Sequence, residues 1–266
     1  MAETGTVLSE LMVWVARRLR PLRLGRKLIS SVKSRASLDL THVLHKEVAH
    51  KARVFSVAIQ DSNWHLGGES AIELCTACRR IMGNLLELPE HEIHCCLKGF
   101  LSGEAEKGGY KVATVARSEP YDMRVPTPEQ YDAHPVTKNS VWSAFLGEND
   151  GKFSWGGIRC FHCGDLYEQK DKFQCTRKDW EDYYRSTLVF PIFYMDDSKT
   201  RHRVISGFLA FDSKNKGAFR NLPDIFEWRD KELNKYRTLL EGKAQFHLGA
   251  SLADMFGIFL EPLRKV

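Results

Sequence analysis

The sequence has no run of the ~20 apolar residues that a membrane-spanning helix needs. Its longest apolar stretch, LMVWVA at 11–16, is far too short. It also lacks the small-residue cleavage pattern of a secretory signal, and Glu3 and Glu10 precede it. The signatures G-x-S-x-G, the Walker loop and H-E-x-x-H are all missing, so the common hydrolase, nucleotide-hydrolysing and zinc-protease chemistries have no foothold. No internal repeat, kinase or cyclase segment, or helix-turn-helix stands out. Acidic residues are absent from 11–38, and that absence shapes the charge distribution of the whole chain.

The overall net charge is +5, but the basicity is local. Residues 11–38 carry eight cations: Arg17, Arg18, Arg20, Arg23, Arg26, Lys27, Lys33 and Arg35. The rest holds 31 basic against 34 acidic residues, so the body of the protein does not read as a nucleic-acid binder. Apolar residues make up 43% of the chain, enough for a packed core. Seven cysteines, an odd number in a long chain, argue against a disulfide framework and for reduced thiols in a cytoplasmic protein.

Leu8, Leu11, Met12, Val15, Leu19 and Leu22 fall at helical spacing beside the arginines, with Pro21 and Gly25 as interruptions. A second helical pattern runs over 28–52, and FSVAI at 55–59 fits either helix or strand. The basic element suits a peripheral contact with an anionic membrane surface, or a helix that packs on its own domain or on a second copy.

Gly67 and Gly68 predict a break, followed by a helix over 70–88. HEIHCCLKGFL (91–101) and YKVATVARS (110–118) predict strands, the second with Val112, Thr114 and Ala116 on one face. The Pro-rich 119–135 reads as a loop, 140–147 as a short helix closed by Gly147, and 148–185 as a long connection. STLVFPIFYM (186–195) and RVISGFLAFDS (203–213) read as a hairpin, and the segment from Asp224 to Leu260 as mostly helical. The class is α+β: a central antiparallel sheet flanked by helices.

The stretch RCFHCGDLYEQKDKFQC (159–175) places Cys160 and Cys163 as a C-x-x-C pair and Cys175 twelve residues on. Two of the four ligands of a tetrahedral zinc site have suitable spacing, Cys175 is a third, and His162, His134 or Asp165 are fourth candidates. The competing readings are a redox pair, since Arg159 adjoins Cys160, and plain packed thiols. Cys75 and Cys78, three apart on a helix, read as core, and Cys95 and Cys96 point to opposite faces of a strand. Aromatic residues cluster in the same crossover. Trp142, Phe153, Trp155, Phe161 and Tyr184, with Arg159, Arg185 and Ser186 as polar partners, form the candidate ligand-binding set for a planar ligand.

Ser186, the apolar Leu188–Phe190, Pro191, the charged turn and Gly207 within Ile205–Phe211 resemble the end of a GAF domain. The order of elements upstream is similar, and the resemblance spans about 65–261. It implies a GAF-like domain over 65–266 behind a basic helical extension over 1–64. It also implies a non-enzymatic sensory or regulatory module that binds a small ligand and dimerises through terminal helices, acting on a separate effector protein. GAF ligands include cyclic nucleotides, tetrapyrroles, haem, amino acids and metals. The cyclic-nucleotide pattern is matched only by Asn215, Lys216, Phe219 and Asp224, with compressed spacing and Ile225 where an acid belongs. The alternatives are a ligand-free dimeric interaction scaffold with a zinc-stapled loop, and a thiol-dependent reductase using Cys160, Cys163 and Cys95 or Cys96.

Overall fold

The computed structural model describes residues 44–61, 64–101, 111–118, 134–149, 152–155, 160–177, 179–196, 202–219 and 244–260. The basic segment 11–38, the loop 119–133, Arg159, and residues 221–243 with Asp224 and Ile225 lie outside that set.

After a π-helical turn at Leu44–Val48 comes α1 (Ala49–Gln60), which takes in the ambiguous FSVAI run as helix. Helix α2 (Trp64–Leu86) begins before the glycine pair that predicted a break. Gly67 is buried within it and Gly68 faces open space. Glycine in a helix costs only about 1 kcal/mol against alanine, and the packing of α2 on α1 outweighs that. Ala71, Leu74, Cys75, Cys78, Ile81 and Met82 form the buried stripe of α2. The helix ends in a left-handed cap: Glu87 has φ 55°, and Leu88 N donates to Gly83 O at 2.9 Å.

Strands β1 (Ile93–Leu101), β2 (Lys111–Arg117), β3 (His134–Pro135), β6 (Phe161–Cys163), β7 (Ser186–Asp196) and β8 (His202–Ser213) form one antiparallel sheet in the order β3-β2-β1-β8-β7-β6. Helix α3 (Ser140–Phe145) precedes a separate two-stranded ribbon, β4 (Leu146–Asn149) with β5 (Lys152–Trp155). The sequence predicted a loop there. Gly147 does not end α3 but pairs with Ser154 in the ribbon. Helix α4 (Ala244–Leu260) closes the described chain.

One further correction concerns the strands. The predicted alternation of β2 breaks at a bulge, because Leu97 pairs with Ala116 while Lys98 pairs with Thr114. Val115 is the extra residue, so Ala116 moves to the opposite face from Thr114, and Arg117, opposite Cys96, rejoins the Thr114 face. Strand β7 runs from Ser186 through Pro191 to Asp196, one residue beyond the predicted 186–195. Strand β6 pairs only with Thr187–Val189, so proline's missing N–H costs no ladder bond on that side.

The sheet has two covered faces. On one, Cys95, Leu97, Leu188, Phe190, Leu209 and Phe211 lie against α2 and α4. Gly257 of α4 is needed there, because a Cβ would overlap the Phe193 carbonyl. On the other face, Cys96, Phe161, Val189, Phe208 and Ala210 pack under the 134–184 crossover, where Val141, Trp142, Phe145, Leu166, Phe173 and Trp180 complete a second apolar cluster. No described helix is long and apolar enough to cross a membrane.

Candidate ligand site

The crossover does not seal its face of the sheet. Between them lies a cavity of about 590 Å³, within the size range of small-molecule sites. Its floor is the sheet: Arg117 from β2, Lys98 from β1, Phe208, Ala210 and Asp212 from β8, and Thr187 and Val189 from β7. Cross-strand pairing places Thr187 opposite Asp212, and Thr187 Oγ1 donates to Asp212 Oδ1 at 2.7 Å.

The wall begins at α3. Asn139 caps that helix, its Oδ1 accepting from Val141 N at 2.9 Å and Trp142 N at 3.3 Å. This fixes the two side chains that α3 turns to the cavity. Ser140 ties the helix to the far wall: its N–H donates to Gln174 O at 3.0 Å, and its Oγ accepts from Gln174 N at 2.7 Å. That anchorage sets the course of Phe173, Cys175, Thr176 and Arg177 along the cavity. Phe145 stacks on Phe208 with ring centroids 5.3 Å apart, joining the wall to the floor.

Charge is concentrated on one part of the lining. Lys98 Nζ donates to Thr114 Oγ1 at 2.6 Å, and burial holds its ammonium below the ordinary lysine range. Burial also acts against the Arg117 guanidinium. Its neighbours Cys96, Tyr184 (to whose hydroxyl it is hydrogen-bonded) and Asp212 outweigh that and raise it. Arg177 is held by a two-point bond to Asp179, Nε to Oδ1 at 2.6 Å and Nη2 to Oδ2 at 3.0 Å, and lies 3.5 Å from the Tyr183 ring centroid. Its remaining nitrogen, Nη1, is buried and has no hydrogen-bond partner among the described residues.

Of the residues singled out from the sequence, His134, Trp142, Cys175 and Tyr184 line this cavity. Phe161 is fully buried in the core beside it. Ser186 is buried at the start of β7, where its Oγ donates to Asn215 O at 2.8 Å. Arg185 is a clamp away from the cavity, donating to both oxygens of Asp165 at 3.2 and 3.1 Å. Phe153 and Trp155 fall on β5, their side chains outside the described set, as is all of Arg159. Of the cyclic-nucleotide pattern, Asn215 bonds Glu92, Lys216 pairs with Asp165 and Glu168, and Phe219 is buried; none lines the cavity.

Cys160 and Cys163 are buried, and burial pushes the Cys160 thiol up to about 12. A thiol so placed is not an attacking thiolate at neutral pH. His162 Nε2 is spent on the Phe219 carbonyl, and Asp165 on Arg185 and Lys216. Among the described residues no group of three or more His, Cys, Asp or Glu side chains is arranged to hold a metal ion.

Sequence reasoning missed Lys98, Arg117, Arg177, Asp179 and Asp212, the charged part of the lining. Set against known proteins, the sequence matches no family model and no curated protein.

Proposed function

We propose that this chain is a regulatory ligand-binding domain of GAF-like type. A small molecule occupies the cavity between sheet and crossover, and occupancy is read by a partner chain through the helical layer on the opposite face. The observation that carries the reading is the cavity itself. A packed domain has little reason to leave two cations, Lys98 and Arg117, on the covered face of a sheet beside about 590 Å³ of space.

The route to the helices follows from strand geometry. Successive side chains of β7 point to opposite faces, so Val189 lines the cavity while Phe190 packs edge-on against Phe246 of α4, centroids 6.5 Å apart. A ligand that displaces the floor of β7 therefore bears on α4 without an intermediary.

Native mass spectrometry of the freshly purified chain, compared with its denatured mass, tests the proposal. A non-covalent adduct of small-molecule size that is lost on Trp142→Ala is the expected result. An adduct-free oligomer whose thermal stability no small-molecule panel shifts would sink it and favour an interaction scaffold.

A further inference from the structure

The cavity's charges are not those of a generic apolar site, and, granted the ligand-binding reading above, they specify the ligand's chemistry. Three cations line it, Lys98, Arg117 and Arg177, against two carboxylates, Asp179 and Asp212. Asp179 is consumed by its two-point bond to Arg177. Asp212 is tied to Thr187 and lies within electrostatic reach of both Lys98 and Arg117. One positive charge is left over. His134 and Cys175 are the other titratable groups of the lining besides Tyr184.

The donors point the same way as the charge count. Among the described residues Lys98 has one hydrogen-bond partner, Thr114, for three N–H donors. Arg177 Nη1 is buried with none. A buried donor without an acceptor costs free energy, and an anionic group entering the cavity removes that cost. Apolar Val141, Trp142, Phe173, Val189 and Phe208 line the same cavity and suit a flat apolar body attached to the anion.

We propose that the ligand is a small organic monoanion, an aromatic or apolar body carrying one carboxylate, with the carboxylate held at Lys98 and Arg117 and reached by Arg177. A phosphate monoester, with nearly two negative charges, exceeds the single uncompensated cation and meets Asp212. A planar carboxylate instead matches the guanidinium fork.

The test is calorimetric titration of the full chain with four probes that share a phenyl ring: benzoate, phenyl phosphate, benzylamine and benzamide. Benzoate is expected to bind at least about tenfold more tightly than each of the others. Lys98→Met or Arg117→Met should weaken benzoate about tenfold and leave benzamide unchanged. Arg117→Lys, which keeps the charge but loses the fork, gives the same direction of change if the methionine variant does not fold. Asp212→Asn removes one negative charge and should shift preference toward phenyl phosphate. Benzamide or benzylamine binding as well as benzoate would overturn the anion subsite while leaving the ligand-binding reading intact. Phenyl phosphate binding more tightly to the unaltered chain would overturn the single-charge argument, and benzoate binding indifferent to both Lys98 and Arg117 would overturn the placement. If none of the four binds at millimolar concentration, the subsite falls, and the native-mass adduct and thermal-shift panel decide the ligand-binding reading separately.

Discussion

Lys98 and Thr114 stand directly opposite each other on β1 and β2, and the 2.6 Å bond between Nζ and Oγ1 is what holds a lysine on the covered face of a sheet. One hydroxyl does not replace the hydration of an ammonium group, so holding Lys98 on this face costs free energy. Its retention there is intelligible if a ligand supplies the missing counter-charge.

That cost has a pH signature. The folded-state pKa of Lys98 is depressed, chiefly by burial, with the like charge of Arg117 adding to it and Cys96, Cys175 and Asp212 opposing it. Between the depressed value and the ordinary lysine range, the unfolded chain holds a proton that the folded chain has released, so stability contributed at this site rises with pH across that window. Lys98→Met should therefore be neutral to stabilising at pH 7, and its advantage should shrink as pH climbs toward the ordinary lysine range. Urea unfolding of both proteins across alkaline pH checks this. An advantage that grows with pH would contradict the assignment of burial as the dominant cost.

Asp165 gives the opposite dependence. It is buried, and burial alone would raise its pKa. Hydrogen bonds from Arg185 and Lys216 and from Tyr167 N outweigh that and hold it below the usual carboxylate range. The stabilisation is present above the unfolded-state value of about 4 and is lost as pH falls through the folded one. Asp165→Asn should lower stability at pH 7 and flatten the acid limb of the stability curve below about pH 4. Chemical denaturation of the variant at pH 7 and pH 3 reads both. An unchanged acid limb would show that other carboxylates govern acid unfolding.

Backbone conformation gives three substitutions of predictable sign. A Cβ at Gly68 meets nothing within 4 Å, so Gly68→Ala should stabilise α2 by about 0.5–1 kcal/mol. Glu87 occupies the left-handed region at φ 55°, and Glu87→Gly should gain about 0.5–1 kcal/mol by relieving it. At Gly207 a Cβ would overlap the Lys98 carbonyl across the sheet, so Gly207→Ala should cost roughly 1–3 kcal/mol and disturb the cavity floor as well. Thermal denaturation checks the signs: the first two variants should melt above the unaltered chain and Gly207→Ala below it.

The parts of this fold that were legible in the sequence are those governed by a simple period. Strands β1, β7 and β8 follow alternation and hydrophobic runs, and α2 follows its 3.6-residue stripe. The site was legible only where aromatic residues advertise themselves, as Trp142 and Tyr184 do. Lys98 did carry a signal: it shares a face with Cys96 in an otherwise apolar strand, and an inward-facing charge is informative. Arg117 carried none, because plain alternation puts it opposite Thr114, and only the bulge at Val115 brings it round. The β4–β5 ribbon was announced by Asp150-Gly151 between the paired Asn149 and Lys152, a common two-residue hairpin sequence. The cavity, not spacing, sets Cys175 apart from Cys160 and Cys163, because of the three it alone lines that space.

That separation is itself measurable. Alkylation requires a thiolate that solvent can reach. Cys160 is buried with its thiol pushed up to about 12, and Cys95 is also raised, by burial and by its contacts with Cys75 and Cys78. Cys175 is also raised by burial, but it is half-buried on the cavity lining and so within reach of a reagent small enough to enter. Brief treatment of the native protein with iodoacetamide, followed by peptide mass analysis, should therefore mark Cys175 ahead of the other six cysteines. A saturating cavity ligand should slow that labelling, whereas after denaturation all seven should react alike. Preferential labelling of Cys160 or Cys163 in the native state would place the C-x-x-C pair at an accessible surface and restore the case for a redox or metal role there.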